Sequence, residues 1–146
     1  MATLAPLNYV IYVAAPAEKV WEGFVSPESN RVIFMGAELE ADWKPGGSLA
    51  WVGKSKDGKP MTYVHGEVLQ IEAPKLLQYT FATGQSDKFS RVTLELVPES
   101  EATKVTLTHD NWADDDPMYA QTADGWARIW SRLKTLIETG KTFKPH

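Results

Sequence analysis

From position 37 onward, hydrophobic and polar residues alternate with a period of two. Leu39, Ala41 and Trp43 alternate with Glu38, Glu40 and Asp42. Leu49 and Trp51 continue the pattern, and Leu77, Tyr79 and Phe81 alternate with Gln78 and Thr80. Val92, Leu94 and Leu96 then alternate with Thr93 and Glu95, and Val105, Leu107 and His109 with Thr106 and Thr108. Such alternation predicts strands with one dry and one wet face. Pro45-Gly46-Gly47, Asp57-Gly58 and Ala73-Pro74-Lys75 supply short turns, so neighbouring strands are antiparallel. Residues 98–103 form a polar turn, and residues 61–72 a long strand.

The ends of the chain change period. Residues 7–13 read as a first strand, stopped by Ala14-Ala15-Pro16. Val20, Trp21, Phe24 and Val25 then recur at helical spacing, with Pro16 and Glu18 suited to the first turn. Ser26-Pro27-Glu28 starts a second short helix that ends before Gly36, with Ser26 as its cap. Asp114-Asp115-Asp116-Pro117 predicts the start of a long C-terminal helix. Tyr119, Ala123, Trp126, Ala127, Trp130, Leu133, Leu136 and Ile137 carry its apolar stripe, and Gly140 ends it. The dry face of the sheet needs a cover, and this helix provides it. The class is α+β: a curved antiparallel sheet of about seven strands around a long C-terminal helix, with two short helices after strand 1. Residues 1–146 are read as a single domain.

Composition narrows the function. A net charge of -4 and scattered basic residues argue against nucleic acid as a partner. The absence of cysteine removes thiolate catalysis and Cys-type metal sites. No apolar run is long enough to span a membrane, and residues 1–8 lack a basic segment followed by an apolar one. The expected location is the cytoplasm, and no cofactor or metal is expected.

The 6 Trp are an excess for this length, and many of the rings fall on elements that face each other. Trp43, Trp51, Tyr79, Phe81, Leu94, Tyr119, Trp126 and Trp130 are the candidate wall of an apolar cavity, against the plainer reading of core packing. His109 shares the inward face of its strand and is the candidate polar anchor, with general base catalysis the lesser alternative. Neither a G-x-S-x-G elbow nor a convincing carboxylate pair accompanies it. Asp110 and residues 114–116 lack calcium-loop spacing and fit a helix start better than a metal site. His65 and Glu67 share a face of the long strand, which a bulge would turn inward or outward. Gly46-Gly47 lacks the pattern of a phosphate loop and reads as a turn.

Taken in order, these residues resemble the START-like superfamily, the helix-grip or birch-pollen-allergen-like fold, and within it the family named after the heat-shock-protein-90 ATPase activator. The resemblance rests on Ala15-Pro16 with Val20-Trp21, Pro27, Pro45-Gly46-Gly47, Asp57-Gly58, Gly66 with Val68, Ile71-Glu72 and Pro74. It continues through Leu76, Glu95-Leu96, Thr103 with Val105, Thr108-His109, Gly125-Trp126, and Leu133 with Leu136. Phe34 stands where the family usually has Trp, and residues 86–91 give no family landmark. The resemblance implies a cavity between sheet and long helix that takes a small hydrophobic or amphipathic ligand. It also implies two alternatives, a cyclase or hydrolase type of enzyme using His109, or a chaperone-interacting module, and it leaves a homodimer open.

Overall fold

The computed structural model describes residues 4–84 and 86–144. The first three positions of the N-terminal segment read above lie outside the described residues. The strands are β1 (Leu7–Val13), β2 (Glu38–Ala41), β3 (Ser48–Lys54), β4 (Pro60–Glu72), β5 (Leu76–Thr83), β6 (Ser90–Glu99) and β7 (Ala102–Asp110). The helices are α1 (Ala17–Val25) and α2 (Pro27–Ile33), both between β1 and β2, and the C-terminal α3 (Tyr119–Thr139). All seven strands join one antiparallel sheet in the order β1-β7-β6-β5-β4-β3-β2. This is the helix-grip α+β fold: an open sheet, two short helices after the first strand, and a long helix at the end.

Alternation sorts the side chains as the pattern requires. On the inner face, Val92 lies opposite His109, Leu94 opposite Leu107, and Leu96 opposite Val105. All six are essentially without solvent exposure. Trp126, Trp130 and Leu133 of α3 close over this layer together with Val20 and Phe24 of α1. The Phe24 ring stacks on Trp130 at 5.3 Å between centroids and on Trp126 at 6.4 Å. Gly23 lets α1 approach α3, since a Cβ there would sit 3.0 Å from Leu133 Cδ1.

The helix ends follow local chemistry. Ser26 Oγ accepts from Ser29 N–H at 3.1 Å, with Pro27 in the first turn of α2. Gly140 adopts φ 84°, the left-handed conformation that ends α3. Asp114-Asp115-Asp116-Pro117, by contrast, does not open α3. Residues 114–118 form turns, and Asp116 Oδ1 caps them by accepting from Met118 N–H at 2.9 Å. The polar turn over residues 98–103 is also tighter than the sequence indicates. Pro98 pairs with Thr103 and Glu99 with Ala102, so only Ser100 and Glu101 form the loop, with Ser100 at φ 58°.

Two bulges shift the register of β4, between Trp51 and Val52 on its partner and between Val68 and Gln70. Val64 and Val68 point inward and are buried, and Glu67 is exposed. His65 shares that outer face, where its ring meets Phe89 edge-on at 5.4 Å. Gly66 lies on the inner side, where an added Cβ would stand 1.8 Å from the Thr80 carbonyl oxygen.

A clamp sets the position of α3. Tyr9 Oη of β1 donates to Ala123 O at 2.8 Å, and Ala14 N–H donates to Glu138 Oε2 at 2.7 Å. The helix therefore packs against β1, α1 and α2. The space between α3 and the β4–β5 end of the sheet stays open. Among the described residues, no helix is long and apolar enough to cross a membrane.

Candidate functional site

That open space is a cavity of about 550 Å³, within the usual range of small-molecule sites. Ile33, Phe34 and Met35 form one side as α2 ends. Met61, Tyr63 and Val64 of β4 and Phe81 and Thr83 of β5 form the floor. Met118, just before α3, and Thr122, Gly125, Trp126, Ile129 and Arg132 of α3 close the other side, with Gln121, Asp124 and Arg128 beside them. Met35 and Met61 are largely exposed, so flexible thioethers flank the mouth.

Of the rings expected in the wall, the structure brings Phe81 and Trp126 to the cavity. Trp51 sits one layer behind, stacked on Phe34 at 5.7 Å, with Tyr79 tilted against it at 5.7 Å. Leu94 and Trp130 are buried in the core away from the cavity. Tyr119 is half-buried; its Oη donates to Ala5 O at 2.7 Å and its ring meets Trp112 edge-on. Trp43 does not join the wall. β2 stops at Ala41, and Lys44 N–H donates to Asp42 O at 2.8 Å in a tight turn that leaves Trp43 37% exposed on the loop.

His109 is fully buried and does not line the cavity; it touches two wall residues, Trp126 by a hydrogen bond and Phe81 edge-on at 4.6 Å between centroids. Trp126 Nε1–H donates to His109 Nδ1 at 2.9 Å. An indole can only donate, so Nδ1 is the accepting nitrogen and the proton sits on Nε2. Nε2–H then donates to Ser90 Oγ at 2.6 Å, and the Ser90 hydroxyl donates to Phe81 O at 3.2 Å. This chain links β7, β6, β5 and α3 with every donor and acceptor matched. Burial pushes the His109 pKa down to about 3, opposed only in part by the neighbouring Asp110 carboxylate. Arg91 holds Asp110 in a two-pronged pair at 2.8 and 2.9 Å. The imidazole is thus neutral at physiological pH, with both nitrogens engaged, so no lone pair is free to take a substrate proton. Its role in this geometry is to fix the plane of the Trp126 ring.

Sequence reasoning passed over three residues. Trp112 stacks on the His109 ring at 4.1 Å and donates Nε1–H to His109 O at 2.9 Å. Asn111 allows this by turning the chain at φ 62°, a conformation Asn tolerates; the Asn-Trp pair directly after a strand was the available signal. Asn30 is buried and ties α2 to α1 and β3. Its Nδ2 donates to Phe24 O and Ser26 O, each at 2.8 Å, and its Oδ1 accepts from Trp51 Nε1 at 2.8 Å. Arg132, the third, is only 4% exposed and stands in the cavity wall. Its spacing of three from Ile129 and seven from Gly125 places it on the cavity-facing side of α3.

The acidic positions 114–116 separate in space by partner. Asp115 meets Lys88 at 3.2 Å, and Asp116 caps the turn before α3.

Known structures share this architecture. A protein from Cytophaga hutchinsonii, solved in solution, is 29% identical over 96% of this chain and 98% of its own, with a TM-score of 0.75. A protein of the dynemicin biosynthetic locus is 25% identical over 94% of this chain and 48% of its own, with a TM-score of 0.75. An HSP90 activator from Plasmodium falciparum is 18% identical over 90% of this chain and 95% of its own, with a TM-score of 0.74, a likeness of fold. No curated protein sequence matches the chain. The sequence model described as activator of Hsp90 ATPase homolog 1-like protein matches residues 14–138, the span from the end of β1 to the last turn of α3, and the chain belongs to that family.

Proposed function

We propose that the protein binds a small hydrophobic or amphipathic molecule in the cavity between α3 and the β4–β5 end of the sheet. The observation that carries this reading is the cavity itself: about 550 Å³ with a mainly apolar wall that includes Phe34, Met61, Val64, Phe81, Trp126 and Ile129. Each Å² of apolar ligand surface removed from water there contributes about 25 cal/mol. The hydrogen-bonded chain through His109 holds one wall in place before the ligand arrives, which lowers the ordering cost of binding. A related protein from a biosynthetic locus lends support to a small-molecule ligand. Contact with a chaperone rests on the family's description and on an 18% identical neighbour. A cyclase or hydrolase role for His109 loses ground, because its ring has no free nitrogen.

The test is titration of dodecanol, followed by tryptophan fluorescence, which Trp126 reports from the cavity wall. Saturable quenching is expected, and Ile129→Trp, which fills the space, removes it. Absence of saturable binding in the parent, with no compound co-purifying by native mass spectrometry, refutes the reading.

A further inference from the structure

Among the residues that wall this mainly apolar cavity is a cation with unmet donors. Arg132 Nη2 donates to the Val32 carbonyl at the end of α2, and its guanidinium carbon lies 5.8 Å from the Phe143 ring centroid. Nε and Nη1 are buried and have no hydrogen-bond partner. Burial pulls the Arg132 pKa down, and no carboxylate among the described residues counters the shift. The acid in the same wall, Asp124, is already committed to Arg128 at 2.7 Å. A buried guanidinium stays charged, and burying such a charge without a counter-ion is costly. A ligand that supplied the missing anion would offset that cost, and its apolar part would take the Met- and Phe-lined space.

Resting on the cavity reading above, we propose that the ligand is an amphipathic carboxylate, an aliphatic or aryl acid, whose carboxylate accepts from an unpartnered N–H of Arg132 while its hydrocarbon portion lies toward Phe81, Trp126 and the mouth methionines. Arg suits this role better than Lys, because the Val32 bond orients its planar guanidinium while further N–H groups stay available to the carboxylate.

Calorimetric titration of dodecanoate and dodecanol, at about pH 8 where the acid is ionised, tests the assignment. In the parent protein dodecanoate binds at least about tenfold more tightly than dodecanol, the usual worth of a charge-assisted hydrogen bond in a shielded site. Arg132→Met removes that preference, and a cooperative urea unfolding transition shows that the variant is folded. Arg132→Lys keeps the charge but cannot hold the Val32 carbonyl and present further N–H groups in a fixed plane, so it retains only part of the preference. Equal affinity for the two compounds in the parent overturns the carboxylate assignment and leaves the cavity reading standing. A preference that survives in Arg132→Met overturns it as well. If neither compound binds the parent, the cavity reading fails first and the assignment fails with it.

Discussion

Replacing His109 by Gln tests the buried hydrogen-bonded chain through its pH dependence. In the folded protein the imidazole titrates near 3 rather than at its ordinary 6.5, because burial disfavours the charged form. Between these values the unfolded chain takes up a proton that the folded chain does not. Stability from this group is therefore intact above 6.5 and declines as pH falls from there toward 3. At about 1.4 kcal/mol per pH unit, lowering the pH to about 4.5 costs roughly 2–3 kcal/mol. Carboxylates such as Asp110, whose pKa is held down by Arg91, also lose stability on acidification, so the parent alone does not isolate the histidine. His109→Gln does, because Gln can accept from Trp126 and donate to Ser90 but does not titrate. Urea unfolding at about pH 7.5 and about pH 4.5 should show a parent loss larger by about 2 kcal/mol than the variant's. Equal losses in the two proteins would refute both the buried neutral imidazole and the proton placement derived from Trp126.

Two further substitutions probe other parts of the core, both read by denaturant unfolding. Tyr79 is fully buried, and its hydroxyl has no hydrogen-bond partner. Tyr79→Phe should thus leave stability unchanged or raise it by up to about 1 kcal/mol; a clear loss would mean that the hydroxyl has a partner. Gly66→Ala forces a Cβ to within 1.8 Å of the Thr80 carbonyl oxygen. The β4–β5 pair must shift, and a loss above about 3 kcal/mol is expected, whereas a loss below about 1 kcal/mol would show that the strands do not approach this closely.

The inward placement of His109 was legible because alternation with Val105 and Leu107 is a local rule that β7 obeys throughout. The orientation of His65 and Glu67 was not, because bulges near Trp51 and Val68 alter the register of β4. The cavity wall was legible only in part. Alternation tells which face of the sheet a ring joins but not how far along that face it lies. Trp51, Tyr79, Leu94 and Trp130 therefore share the interior with Phe81 and Trp126 yet do not line the cavity. Trp43 shows the other failure, since its apparent continuation of β2 is undone by the tight turn that Lys44 N–H closes on Asp42 O.

The order of elements, the antiparallel sheet and the covering helix were determined by the sequence alone. Period, capping residues and turn residues act over a few neighbours, so Ser26-Pro27 starts α2 and Gly140 ends α3 wherever the rest of the chain goes. Tertiary structure alone decided where empty space remains and what chemistry faces it. The clamp from Tyr9 and Ala14 holds α3 toward β1 and leaves the β4–β5 end uncovered. That single placement sends Met35 and Met61 to the mouth, buries Arg132 in the wall, and joins Ser90, His109 and Trp126 from three separate elements. Contacts between residues this distant in the chain depend on the packing of whole elements, and no local pattern encodes them.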